Sequence, residues 1–226
     1  MNELLDAARG VTDEQAIEIA FSPQVWKAES WQARVAATAP ASAFGKLITG
    51  WNRRSEAGSR AALGFYLFKM ALGPAASAVE PPAGLTDDAM RTALESAAKR
   101  LDGEFAPGAT YGTLFRAGRQ GSPRTWPVSG GSVREAGMNT PRAISFSREG
   151  SHMAGRGGQT STQIVILTKP PRSYMVIPLG ESDDPASPHY EDQAEKLFSQ
   201  GRAKPTFFLD RKALEKHVTA RRELEF

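Results

Sequence analysis

Apolar residues recur at helical spacing through the first half of the chain. Leu4, Leu5 and Ala8 start a short stripe that Gly10 ends. Thr12 and Gln15 fit a capping box, and Ile17, Ala20 and Phe21 follow on one face until Pro23. Val25, Trp26, Ala28, Trp31 and Val35 predict a second helix that stops before Pro40. Phe44, Leu47, Ile48 and Trp51 form a further stripe, closed by Gly50 and Asn52. Leu63, Tyr66, Leu67, Met70 and Ala71 fall on one helical face, with Phe65, Phe68 and Leu72 on the others. A helix apolar nearly all round is expected to be buried between layers. Residues 73–85 read as a Pro, Gly and Ala loop. Thr86 then caps a helix that buries Met90, Leu94, Ala97, Ala98 and Leu101 and ends at Gly103.

The periodicity fades from Phe105 to Gln159, where Gly, Ser, Pro and Arg dominate. So much irregular chain is expected to serve a site or to cover something larger. Short extended pieces are expected at Tyr111–Phe115 and Ala143–Phe146. Thr162–Thr168 and Tyr174–Leu179 predict a hairpin across the Lys169–Arg172 turn. Both strands are apolar on both faces, so the expected sheet is covered on two sides. A polar loop follows, and Ser187 and Pro188 suit the start of a helix over His189–Gln200, with Glu191 and Asp192 in its first turn. Thr206–Leu209 reads as a last strand and Leu214 with Val218 as a last helix. The pattern divides the chain into a mainly helical part (1–104), a loop-rich part (105–161) and a hairpin with C-terminal helices (162–226). Its apolar faces call for more strands than it contains.

Forty per cent hydrophobic and 23% charged residues exclude a disordered or fibrous chain. A net charge of +3 is too small an excess to argue for nucleic acid. The absence of cysteine removes disulfides, thiolate catalysis and cysteine metal sites. No apolar run approaches the roughly 20 residues of a membrane span. The opening residues lack the basic start and apolar core of a signal peptide, so the chain stays in the cytosol or its export signal lies on a piece not present.

Candidate chemistry is sparse. His189 could act as a general base or a ligand, but no other His or Cys lies near it in sequence, and packing at the helix entrance explains it better. His152 sits in a Gly-Arg stretch and His217 on a basic helix, and three scattered histidines make no metal signature. Residues 147–159 resemble a phosphate loop in composition, lack the Gly-Lys-Ser/Thr ending, and read as a flexible loop. Their Arg and Gly residues lack the interleaved aromatics of an RNA site. Glu191 and Asp192, adjacent on a helix, point too far apart to share a proton. No Gly-x-Ser-x-Gly elbow is present. Trp26, Trp31, Trp51 and Trp126 read as core or interface residues.

The order Leu179-Gly180-Glu181-Ser182, then Ser187-Pro188-His189-Tyr190-Glu191-Asp192-Gln193 and a final Leu209–Phe226 helix, resembles the end of the penicillin acylase family. Gly130-Gly131 followed by the Thr162–Leu167 strand is similar to the glycine turn and strand upstream of that segment. Gly50-Trp51-Asn52 with Ser59 is similar to the family's Trp-Asp region, with Asn52 where Asp is usual. The spacing is closest to acylases acting on lipopeptides, β-lactams or acyl-homoserine lactones. The resemblance implies an α+β protein, here part of a four-layer α-β-β-α fold cut from one precursor. It implies a serine nucleophile at the start of the large subunit with its own α-amine as base, and an oxyanion hole from a backbone N–H and an asparagine. It also implies export to the periplasm or medium.

Residues 1 and 2 are Met and Asn, so no nucleophile stands there. Gly-Ser pairs occur at Ser59, Ser122, Ser132 and Ser151, but too little chain follows any of them to build the strands such a site requires. No catalytic, cofactor or metal residue is therefore assigned, and no cofactor is expected. The expected partners are the preceding portion of the acylase and an acyl-amide substrate, with no nucleic acid. Two rivals stand beside this reading: a binding or scaffold protein that reuses the half-fold, and a self-sufficient enzyme using His189.

Overall fold

The computed structural model describes residues 2–221 and 223. Capping and periodicity place most of the helices: α1 (Asn2–Ala7), α2 (Asp13–Ala20), α3 (Ala28–Thr38), α4 (Ala43–Thr49), α5 (Arg60–Ala71), α6 (Asp87–Gly103) and the single turn α7 (Tyr111–Leu114). Thr12 and Gln15 close the capping box of α2 reciprocally (2.9 and 3.3 Å). Ser59 and Thr86 cap α5 and α6 through the backbone N–H groups of Ala62 and Ala89. The α3 stripe begins later than expected. Lys27 enters it with a left-handed backbone (φ 62°), so Val25 is buried beside the helix and Trp26 is exposed.

The five helices α3–α7 enclose the larger core. Its biggest buried side chains include Trp31, Phe65, Phe68 and Tyr111, with the β-strand residue Phe115 among them. As expected of a helix apolar all round, α5 is buried along nearly its whole length, with Met70 turned outward. It also buries Lys69, whose ammonium donates to Ala78 O (2.5 Å) and lies 3.5 Å from the centroid of the Trp31 ring. Burial pulls that amine down to about 7. Trp31 Nε1 donates to Val79 O (2.8 Å), so the two side chains together fasten the 73–85 loop.

The chain then builds two small sheets. In the first, β1 (Phe115–Ala117), β2 (Trp126–Pro127), β3 (Ile144–Glu149) and β4 (His152–Gly158) lie in the order β2-β1-β4-β3. The Tyr111–Phe115 piece is thus a helical turn leading into a strand. The 147–159 stretch, expected as a flexible loop, is most of the β3–β4 hairpin. Its glycines leave no mark of a strand in the sequence, because strands made of glycine carry no side-chain alternation.

The second sheet runs β5 (Thr162–Ile166), β6 (Arg172–Val176) and β7 (Lys204–Pro205). The β5–β6 hairpin agrees with the sequence expectation, and Ile164 opposes Tyr174. Its double covering does not. One face, with Ile164 and Val176, packs under Ile17, Ala20 and Phe21 at the end of α2. On the other, Val165 is 47% exposed, and Leu167 just past the strand is 90% exposed. The Thr206–Leu209 strand is replaced by the two-residue β7 and a turn, and the last helix, α8, is only Arg211–Glu215. The end of the expected Leu209–Phe226 helix lies outside the described residues. No helix of the described residues is long and apolar enough to cross a membrane.

The covered face carries an ion pair. Asp13, in the first turn of α2, accepts two bonds from Arg172 (2.6 and 2.8 Å) and one from the Tyr174 hydroxyl (2.6 Å). The Arg172 bonds first, then Tyr174, hold its carboxyl down at about 2. A depressed carboxyl gives stability that is whole above its unfolded value of about 3.9 and is lost as pH falls through the folded one. Wild-type protein is therefore expected to lose melting temperature more steeply than Asp13→Asn between about pH 4 and pH 2. Parallel melting curves across that window would remove the assignment.

Candidate functional site

The His189–Gln193 segment sits where the C-terminal loop meets the β1–β2 connection, and each of its side chains has a contact. Ser187 heads a turn (Tyr190 N–H to Ser187 O, 3.1 Å) rather than the helix, and its hydroxyl accepts the His189 backbone N–H. Helical geometry starts at Asp192 and continues as a π-helical turn over Ala194–Phe198, shorter than the expected His189–Gln200 helix. The wide turn lets Ala194 N–H reach Leu179 O (2.7 Å) and buries Phe198.

Arg119 organises the loop. It donates to Ser182 O (2.6 Å), Tyr190 O (3.0 Å), Gly180 O (3.5 Å) and the Asp183 carboxylate (3.2 Å). Its guanidinium also lies 4.3 Å from the Tyr190 ring centroid, a cation–π distance. Glu191 is buried and takes Arg124 on one carboxylate oxygen (2.8 Å), while its other oxygen is buried without a partner. Gln193, also buried, accepts from Ile177 N–H (3.2 Å) and donates to Glu181 (2.8 Å), which Lys204 reaches as well (2.6 Å). Those bonds, Lys204 first, hold the Glu181 carboxyl below its ordinary range.

Gly180 makes the closure possible. A Cβ there would stand 2.1 Å from His189 O and 2.6 Å from Tyr190 O, both backbone atoms.

Beside this clamp lies a cleft of about 660 Å³, between Gly118–Gln120, the glycine strand Gly155–Gly157 and Ile177–Gly180. Its walls are largely apolar, with Ile144, Leu179 and Phe198, and Arg119 and Arg156 stand at it. The second glycine feature is near the other core. Gly130 (φ 100°) carries the turn, Tyr111 donates to its carbonyl (2.7 Å), and Thr140 Oγ1 accepts the Gly131 N–H (3.1 Å). Burial, with Glu135 nearby, drives the Tyr111 phenol well above its ordinary value, so it acts as a donor. Ser132 bonds Glu135, whose other oxygen accepts Phe146 N–H (2.8 Å).

The residues weighed from the sequence fall as follows. His189 is exposed and pairs through Nδ1 with Asp192 (3.0 Å), with its ring directed at a carboxylate rather than a nucleophile. His152 is on β4, its Nε2 buried without a partner, and burial beside Arg116 and Arg148 lowers its pKa. His217 stacks on Phe207 (4.6 Å). Ser59 caps α5. Asn52 accepts the Arg54 N–H (3.1 Å), a bond that Asp would make equally well. Glu191 and Asp192 point to different partners. Neither Arg119 nor Arg124 stands out in the sequence, and only the buried, partner-seeking chemistry of Glu191 hints that a distant cation must meet it.

The fold and clamp define a mixed α+β chain whose C-terminal segment is locked by its own polar residues. Its protein-family match agrees with that segment: a family model, Penicillin amidase, matches residues 1–215. The chain belongs to the penicillin amidase family.

Proposed function

We propose that the chain serves as the C-terminal portion of the large subunit of an acylase that hydrolyses linear amide bonds, of the β-lactam, lipopeptide or acyl-homoserine lactone type. In this reading the preceding portion supplies the N-terminal serine, its α-amine base and the oxyanion asparagine. This chain supplies the clamp and one sheet of the scaffold, and is inactive alone. The observation that carries the reading is the half-covered sheet: opposite the face that α2 covers, Val165 is half-exposed, and Leu167, just past the strand, is almost fully exposed. A chain in this family that leaves Val165 and Leu167 exposed beside a sheet fits a multi-subunit assembly better than a complete enzyme.

The test is complementation. This chain is co-expressed with a penicillin amidase whose last 215 or so residues have been removed, the length of the family match. Hydrolysis of a chromogenic acyl anilide is then followed. Neither piece alone is expected to turn over, and together they are expected to exceed the background about a hundredfold or more. Hydrolysis by this chain alone would overturn the proposal. A stable complex without hydrolysis would favour the scaffold reading, which draws support from the clamp, since its side chains are spent on internal contacts.

A further inference from the structure

The chain's net charge is not evenly spread. Residues 202–226 hold seven Lys and Arg against four Asp and Glu, so all of the net +3 lies there and residues 1–201 balance to zero. Lys204 pairs with Glu181, and Arg211 and Arg221 pair with Glu215, so the basic character beside the turn rests on the exposed Lys212 and Lys216. The same region exposes apolar side chains. Phe208 is 56% exposed, Leu209 76% and Leu214 48%.

Their exposure is built into the backbone. Phe207 (φ 53°) and Leu209 (φ 60°) occupy the left-handed region, which costs residues with a side chain and is held only when neighbours fix it. Here they do. Thr206 N–H donates to Ser173 O (3.0 Å), the Ser173 and Thr206 hydroxyls bond (2.8 Å), and Phe207 stacks on His217. Asp210 caps α8 through Ala213 N–H (2.9 Å). The turn is anchored on both sides, and Phe208 and Leu209 project from between the anchors. Lys212 and Lys216 follow on the next turn.

We propose that this basic, apolar projection is a docking surface for an anionic lipid bilayer. Adjacent apolar side chains at a turn, backed by lysines, suit a fluid interface that takes the ring and the leucine among its acyl chains and the ammoniums among its phosphates. Nucleic acid has no use for exposed Leu209 and Leu214 beside the charge. The surface lies outside the clamp and the cleft, so the inference stands apart from the acylase reading.

Flotation of the full chain with vesicles tests it, comparing phosphatidylcholine alone with phosphatidylcholine carrying about one-third phosphatidylglycerol. The anionic vesicles are expected to bind about tenfold or more of the chain bound by neutral ones, and about 0.5 M NaCl to reverse most of that excess. Phe208→Ser/Leu209→Ser and, separately, Lys212→Glu/Lys216→Glu are each expected to cut binding about tenfold while keeping the wild-type circular dichroism spectrum. Because the chain has no cysteine, Phe208→Cys carries an environment-sensitive dye at one site, whose emission is expected to shift blue on anionic vesicles. Equal binding to both vesicle types, no binding to either, or an unshifted dye would overturn the proposal. So would dissociation of a dimer into monomers by Phe208→Ser/Leu209→Ser, or selective binding of an acidic protein in place of the vesicles.

Discussion

Replacing Lys69 with methionine is expected to stabilise the protein near pH 6 and to remove a rise in stability that the wild type shows toward pH 9.5 or so. The amine is buried in the helical core with one carbonyl, Ala78 O, and the face of Trp31 for company. Those two favour the ammonium, but burial outweighs them and brings its pKa down to about 7. The unfolded chain keeps the proton up to about pH 10.4. Between those values the unfolded state binds more protons than the folded one, so stability climbs with pH. At about 1.4 kcal/mol per unit, the climb from this group is on the order of 4 kcal/mol at most.

Met fills a similar volume and carries no charge, but it leaves Ala78 O unpaired at a cost of about 1–3 kcal/mol. The variant should therefore gain about 2 kcal/mol at pH 6 and fall level with or below the wild type near pH 9.5. Urea denaturation at several pH values measures it. The window must stop there, because burial has raised Tyr66 and Tyr111, and their ionisation on unfolding turns the slope downward above it. Wild-type and Lys69→Met curves that run parallel from pH 6 to 9.5 would show that the amine keeps its ordinary proton in the core.

Gly180→Ala is the severest single methyl expected in this chain's clamp. The new Cβ would enter the carbonyls of His189 and Tyr190, and backbone cannot step aside as a side-chain tip can. Moving that backbone separates three of the acceptors held by Arg119: Gly180 O, Ser182 O and Tyr190 O. A loss of about 3–5 kcal/mol is expected, with faster proteolysis between Glu181 and Glu191. Arg119→Ala should reproduce about half of it, since the loop then keeps its shape but leaves carbonyls unpaired. A Gly180→Ala protein within about 0.5 kcal/mol of the wild type, resistant to protease, would mean that the clamp holds nothing of consequence.

These contacts show where sequence reading succeeds and where it stops. The helices were legible because their causes are local. Thr12 finds Gln15, Thr86 finds Ala89, and the stripe of α6 repeats within one element. The β5–β6 hairpin was legible because its Ile-Val-Ile run is continuous. The β3–β4 hairpin was not, since Gly155, Gly157 and Gly158 have no side chains to alternate. In the clamp, the order His-Tyr-Glu-Asp-Gln could be recognised as a family mark, but its work depends on Arg119 and Arg124, each more than sixty positions away. Helix capping and dipole arguments explained Glu191 and Asp192 locally, and the pairing of buried Glu191 with the exposed Arg124 shows that a distant contact took precedence. The unequal covering of β5 and β6 was not legible: residues apolar on both sides called for two covering layers, and a single helix layer meets them.

The Asp13–Arg172 pair also sets an order of events during synthesis. It joins positions 159 apart, and Gln159 reaches Ala20 across 139. The fully buried side chains of the larger core, by contrast, have all been made once the ribosome has passed Met138, with only the partly buried Phe146 and Met153 still to come. At roughly 5–20 residues per second, α2 therefore waits several seconds beside a nearly finished helical core before its sheet exists. During that interval Ile17, Ala20 and Phe21 lack Ile164, Val176 and Phe198, the later part of their seat. The nascent chain is then most open to capture by chaperones at α2, although α2 left the exit tunnel before the helical core did.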